Sequence, residues 1–193
     1  MCILLAPAWK LAITVAVLQS LDDVDCFNCK LSTANCELIR CLMIHIALYE
    51  PEIPPNTGNV ARSCAAVGAR LHLIGRLGFS LEDKALKRAG LDYWPSVDLV
   101  LHATFEEFEA TVGSERIWCV ETPADMPYTR AVFRDGDCLL FGSESKGLPL
   151  SALERYAGRV LGVPMPTGHV RSLNLATVAG IVLYEALRQV NGW

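Results

Sequence analysis

The chain has 193 residues, 52% of them hydrophobic and 20% charged, with a formal net charge of −4. That length holds one domain of ordinary size plus an appendage, and that composition excludes a disordered chain. The acidic balance argues against broad, non-specific nucleic-acid binding and leaves room for a local basic patch.

The first segment, 1–42, reads as an appendage of unknown structure outside the working domain, or as the product of a start placed too far upstream. Its apolar stretch from Ile3 to Leu21 is broken by Pro7, Lys10 and Gln19. The stretch lacks the basic opening of a secretory signal and is marginal in length for a membrane span, so no membrane association and a cytoplasmic location are expected. The chain has eight cysteines. Cys26 and Cys29 form a C-x-x-C pair, but Cys36 and Cys41 do not repeat it, and the spacing argues against zinc. Cys64, Cys119 and Cys138 sit inside apolar runs and read as small buried hydrophobes.

From Met43 onward, strand-like and helix-like segments alternate. Ile44–Tyr49 reads as a strand. A polar loop, "EPEIPPNTGN", follows, then a helix over "VARSCAAVG" with Gly68 as its C-terminal cap. "RLHLIG" is a second strand. "SLEDKALKRAG" is an amphipathic helix with Ser80 as N-cap and Gly90 closing it. Its Lys84, Lys87 and Arg88 share one face, which is either a solvated surface or an extension of a phosphate-binding one.

"VDLVLH" is a third strand. "TFEEFEATVG" opens on Thr104, with Glu107 three residues later, the spacing of a capping box. "RIWCVE" and "DCLLFG" are the fourth and fifth strands. "PLSALERYAG" is a helix with Pro149 in its first turn, and "RVLGVPM" is a short sixth strand. The segment "NLATVAGIVLYEALRQV" forms a long final helix, apolar around most of its circumference, which marks either deep burial or a subunit interface. Six strands alternating with helices predict an α/β domain over 43–193, with a mostly parallel sheet covered on both faces.

In such sheets ligands bind in loops at the carboxyl ends of strands. Three polar, glycine-containing loops fall there: "PPNTGNVAR", "GSESKG" and "VPMPTGHVRSLN". None fits a common fingerprint. After Gly142 and Gly147, Leu148 and Pro149 stand where a phosphate loop requires Lys and Ser or Thr. No G-x-G-x-x-G follows the first strand, and "GSESKG" is not a nucleophile elbow. His45, His72 and His102 lie in strands and read as structural; His169 lies in the third loop, functional or merely exposed.

The segments "IALYEPEIPPNTGNVARSCAAVGARLHLI", "AGLDYW", "LLFGSESKGLP" and "VPM" followed by "RSLNLATVAGIVLYEALRQ" resemble the SPOUT superfamily of knotted methyltransferases. Within it they resemble the group that 2′-O-methylates cytidine or uridine at wobble position 34 of tRNA. The resemblance runs from Met43 to about Gln189 and implies a C-terminal trefoil knot, S-adenosyl-L-methionine as cofactor, tRNA as partner, and a homodimer formed through the last helix, which carries Tyr184, and the knot. By position it assigns Val120, Gly142, Val163 and Ser172 to cofactor binding, with Met165 and Leu173 beside them. On this reading Gly142 and Gly147 let main chain approach the nucleoside closely.

The same resemblance gives Arg62 the catalytic position. A guanidinium is a poor base, so gripping the phosphate beside the target ribose is the better-supported task, with proton removal as the other option. Asn56, Asn59, Glu144 and Asn174 are supporting residues; Lys146 and Arg171 are expected to meet RNA phosphates. No metal is expected. The stretch "PTGHV" between Met165 and Arg171 has five residues where the family pattern has four. Methylation of another tRNA or rRNA position, or a non-catalytic knotted RNA binder, are the alternatives.

Overall fold

The computed structural model describes residues 43–80 and 94–192. The expectations for 1–42, including the N-terminal cysteines, and for the helix carrying Lys84, Lys87 and Arg88 lie outside the described residues.

The strands are β1 (His45–Tyr49), β2 (Arg70–Ile74), β3 (Leu99–His102), β4 (Ile117–Val120), β5 (Met126–Pro127), β6 (Cys138–Phe141) and β7 (Val160–Gly162). The helices are α1 (Pro54–Val67), α2 (Phe105–Val112), α3 (Leu150–Arg155) and α4 (Leu175–Asn191). One seven-stranded sheet runs in the order β3-β2-β1-β6-β4-β7-β5. Every pairing is parallel. The two-residue β5 is absent from the sequence pattern, because it is too short to show a hydrophobic period.

Both faces of the sheet are covered, as expected. Ile46 and Leu48 of β1, Leu71 and Leu73 of β2, and Leu139 and Phe141 of β6 pack on α1 and α4 through Val60, Ala61, Cys64, Val182, Leu183 and Leu187. The alternate strand residues Ala47, Ile74, Cys119 and Leu140 pack the other way, on Phe108 of α2, Leu153 of α3 and Tyr156. The period-two parity of a strand sends neighbours to opposite cores. Burial on both sides is why β6 reads as one unbroken apolar run.

The stretch from Pro54 to Asn59, expected as loop, is helix. Pro54 and Pro55 occupy the first two helical positions, where a missing N–H removes a donor that would have no intrahelical partner. Asn56 and Thr57 then donate their N–H groups to the Ile53 carbonyl. Other caps match expectation. Gly68 closes α1 at φ 71°. The Thr104 hydroxyl accepts from Glu107 N–H, and the Glu107 carboxylate accepts from Ala103 N–H. Helix α3 ends at Arg155 and gives way to a 3₁₀ turn at Ala157–Arg159, shorter than the predicted run to Gly158.

The strand histidines are structural in a specific way. His45, His72 and His102 stack across three adjacent strands, with ring centroids 5.2 and 5.1 Å apart. His45 Nδ1 meets His72 Nε2 at 2.9 Å, and His72 Nδ1 meets His102 Nε2 at 2.8 Å. A neutral imidazole donates from one nitrogen and accepts at the other, so three neutral rings link head to tail. Burial, reinforced by the charges of His45, His102 and Arg70, pushes His72 down to about 3. Cys64, Cys119 and Cys138 are buried thiols. Burial pushes Cys64 and Cys119 up to about 12, which makes them inert hydrophobes at neutral pH.

Candidate active site

Strand order places β1 beside β6, although their connections leave in opposite directions along the sheet. That is the switch point at which an open parallel sheet forms a crevice at its carboxyl edge. Residues 50–56 follow β1 and residues 142–147 follow β6, so the two segments face each other there. A cavity of about 590 Å³ opens at this edge, within the range of small-molecule sites.

Its walls come from four parts of the chain. Ile53 and Asn56 belong to the start of α1. Val120 ends β4, and Glu121 and Thr122 follow it. Phe141 ends β6 and residues 142–147 follow it, and Arg171 to Leu175, with Val178, lead into α4. The cavity therefore gathers Asn56, Val120, Gly142, Glu144, Lys146, Arg171, Ser172 and Asn174, all singled out by the sequence, together with Leu173. Arg62, Asn59, Val163 and Met165 are outside the lining. Asn59 and Arg62 lie one turn apart on the exposed side of α1.

A web of hydrogen bonds fixes the mouth. Glu144 Oε2 accepts from Glu52 N–H at 2.8 Å, and Oε1 accepts from Ile53 N–H at 3.3 Å and from Asn56 Nδ2 at 2.9 Å. The carboxylate thus caps the N-terminus of α1, where the backbone dipole favours an anion. Asn174 Nδ2 donates to Asn56 Oδ1 at 2.9 Å, while Asn174 Oδ1 accepts from Ala176 and Thr177 N–H and caps α4. Ser145 closes the web through its hydroxyl, which donates to Glu52 Oε1 at 2.7 Å. Glu144, Asn56 and Asn174 therefore form one chain of contacts linking the turn after β6 to the starts of two helices.

The two glycines, which line the cavity, are also required by the turn itself. A Cβ on Gly142 would overlap the backbone of Gly147 and Leu148. Ser143 and Gly147 exchange backbone hydrogen bonds across this turn. Gly147 sits at φ +69°, and a Cβ on it would lie 2.5 Å from Glu121 Oε2. The glycines let the turn close on itself and on Glu121, beside the cavity. Glu121 in turn accepts from Leu148 N–H at 2.8 Å and Thr122 N–H at 2.9 Å. Glu121 and Thr122 are not among the residues expected at the site, because Glu121 reads as the end of a strand. The carboxyl-edge rule, applied to β4, would have included both.

In the loop after β7, residues 166–170 lie outside the lining. Gly168 N–H donates to Met165 carbonyl oxygen at 3.2 Å, with Gly168 at φ +64°, forming a tight turn. Residues 166–171 are exposed, His169 among them. A larger hollow of about 780 Å³ lies near α2 and α3, away from these loops. Its Arg155 is paired with Glu109 at 2.6 Å, and Tyr156 donates to the same carboxylate, so its central charges already satisfy one another.

The family model described as "SpoU rRNA Methylase family" matches residues 43–184. The chain belongs to the SpoU methylase family. Among relatives, it is 46% identical over 149 residues to the tRNA (cytidine(34)-2'-O)-methyltransferase of Saccharophagus degradans, covering 77% of this chain and 96% of that one. It is 42% identical over 149 residues to the enzyme of the same name from Escherichia coli strain K12, covering 77% and 94%. A solved structure described as giving structural insights into the 2-OH methylation of C/U34 on tRNA superposes with a TM-score of 0.75 at 51% identity, covering 79% of this chain and 99% of that one. The SpoU methyltransferase AviRb from Streptomyces viridochromogenes, solved in complex with the cofactor AdoMet, matches with a TM-score of 0.68 at 27% identity, covering 79% and 62%. Among the described residues no helix is long and apolar enough to cross a membrane, and no group of three or more His, Cys, Asp or Glu is arranged to hold a metal ion.

Proposed function

We propose that the chain is an S-adenosyl-L-methionine-dependent enzyme that 2′-O-methylates the ribose of cytidine or uridine at tRNA position 34. The observation that carries this reading is the cavity at the β1/β6 switch point, lined by residues of the three glycine-containing loops, in a chain that is 42–46% identical to enzymes named for this reaction. The donor set fits the cofactor. Val120, Phe141, Leu173 and Val178 offer apolar walls to a flat base, and Thr122, Ser143, Ser145 and Ser172 offer hydroxyls. Glu121 suits a cationic group, and Lys146 and Arg171 suit a carboxylate. When bound, S-adenosylmethionine supplies an activated methyl group.

The chain's own residues then have to orient the acceptor and handle its proton. Arg62 is assigned the phosphate beside the target ribose, because a guanidinium holds charge well and surrenders a proton poorly. Glu144, Asn56 and Asn174 hold the starts of α1 and α4 in register with the turn at 142–147, which aligns the helix bearing Arg62 with the cavity. Asn59, one turn from Arg62, supports the same RNA-facing surface.

The proposal extends to assembly and boundaries. Residues 43–193 form the catalytic domain, with the last segment threaded as a trefoil knot and 1–42 as an appendage, in the cytoplasm. The protein acts as a homodimer through α4. Tyr184 is 50% exposed on that helix and Val132 68% exposed. Phe133 N–H donates to Gln189 Oε1, so Val132 stands beside the same helix. Exposed apolar side chains on and beside the last helix support an interface between copies. Arg62 lies outside the lining of its own cavity, which further favours a site completed on assembly.

The test is a ribose-methylation map of tRNA from cells lacking the protein, together with methyl transfer by the purified protein to that tRNA. Loss of 2′-O-methylation at position 34, restored in vitro, is the expected result. Loss at another tRNA or rRNA position would redirect the substrate assignment. Cofactor binding without transfer to any RNA would make the protein a non-catalytic binder.

A further inference from the structure

The cavity holds two acidic side chains of different standing. Glu144 is met by three donors at the start of α1, and that helix terminus compensates its charge. Glu121 has only two backbone amides, Leu148 N–H and Thr122 N–H, one on each oxygen. Among the described residues no cation lies within ion-pair distance of it. A carboxylate has roughly four acceptor sites, so about half the capacity of Glu121 stays unspent beside the cavity. Lys146 and Arg171 also line the cavity but are exposed, where water screens them.

We propose that the Glu121 carboxylate makes this cavity select a positively charged sulfonium over its neutral thioether product. The inference rests on the proposed use of S-adenosylmethionine. Methyl transfer removes the positive charge from sulfur, so cofactor and product differ by one methyl group and one charge. An anion fixed in the wall distinguishes them by charge without contacting the methyl group. In a cavity of about 590 Å³, a bound cation lies within roughly 10 Å of the wall carboxylate, and at an effective dielectric of about 20 this separation favours the cation by roughly tenfold. The consequence is functional. Product is held less tightly than substrate, and turnover does not stall on a retained thioether.

Calorimetric titration of the full chain with S-adenosylmethionine and with S-adenosylhomocysteine tests this directly. Glu121→Gln is expected to weaken the sulfonium about tenfold more than the thioether, because the amide keeps one acceptor but no charge. Glu121→Asp keeps the charge and is expected to preserve the wild-type ratio even if both affinities fall. That pattern is not produced by a purely structural role, which would weaken both ligands alike. Equal weakening of both ligands by Glu121→Gln, or no change in either, overturns the proposal. If Glu121→Gln fails to fold, as judged by its thermal transition, loss of the wild-type ratio in Glu121→Asp likewise overturns it. If the unmodified protein binds neither ligand, the cofactor assignment itself falls, which is a distinguishable outcome.

Discussion

The stacked histidines of β1, β2 and β3 make the fold acid-labile in a defined pH window. His72 titrates near 3 in the folded chain against an ordinary value of 6.5, the chief cause being burial. Between those values the unfolded chain binds a proton that the folded chain refuses. Stability is therefore unaffected above about pH 7.5 and falls as the pH drops through 6.5 toward 3. At pH 5 the unfolded imidazole is almost fully protonated. The loss from His72 alone is then about 2 kcal/mol, at about 1.36 kcal/mol for each pH unit below its ordinary value. His45 and His102 are lowered by burial too, so they add in the same direction. Asp98 and Asp135 partly offset this at His45, and Glu107 at His102. The window from about pH 7.5 to about pH 5 avoids the lowered carboxylates Glu109 and Glu185, which begin to matter near 4.5 and below. Urea unfolding at about pH 7.5 and about pH 5, with the slope held constant, is the assay. His72→Phe fills similar space without a titrating nitrogen. It is expected to lose about 2 kcal/mol of the pH-dependent difference, whatever its stability at the higher pH. An unchanged midpoint in the unmodified protein, or the same pH-dependent drop in the variant, would refute the reasoning.

Arg62→Ala should lower methyl transfer by at least about 100-fold, as for other groups acting on transition-state charge, and leave calorimetric cofactor affinity nearly unchanged because Arg62 is outside the cavity lining. A large loss of cofactor affinity would put Arg62 in the wrong place. Glu144→Ala strands Glu52 N–H and Asn56 Nδ2 and is expected to cost about 2–3 kcal/mol, read as a lower thermal midpoint and weaker cofactor binding together. Asn174→Ala removes the cap of α4 and a partner of Asn56, costing about 1–2 kcal/mol in chemical unfolding. Gly142→Ala forces a Cβ into the backbone of Gly147 and Leu148 and is expected to cost about 3 kcal/mol or more. A variant with unchanged unfolding and cofactor binding would show that the turn has room to spare.

Much of the fold is legible because a buried parallel sheet leaves a coarse pattern. Every strand but β5 falls within an apolar run, and the caps Gly68 and Thr104 do what their side chains allow. The first turn of α1 reads as loop because Pro54, Pro55 and Gly58 are breakers in a helix interior. Position at the helix start reverses that meaning for the prolines, and nothing local announces the position. The two residues of β5 lie beyond any periodic signal.

The site is legible in its parts and not in its connections. Composition and spacing point to glycine turns, and the family resemblance supplies Glu144, Asn56 and Asn174 by position. Their contacts span 88 and 118 residues of chain and follow from strand order, because β6 inserts between β1 and β4 only after the intervening strands are laid down. Gly142 answers to a local need instead. A sequence suggests that such a glycine answers to something approaching from outside, a ligand. The structure shows that it is needed by what approaches from inside, the turn's own backbone, just as Gly147 is needed by the carboxylate of Glu121. A glycine required by its neighbours fixes the wall of the cavity it lines. Substitution at Gly142 should therefore disturb fold and binding together, whereas Glu121→Gln should change which charge state binds.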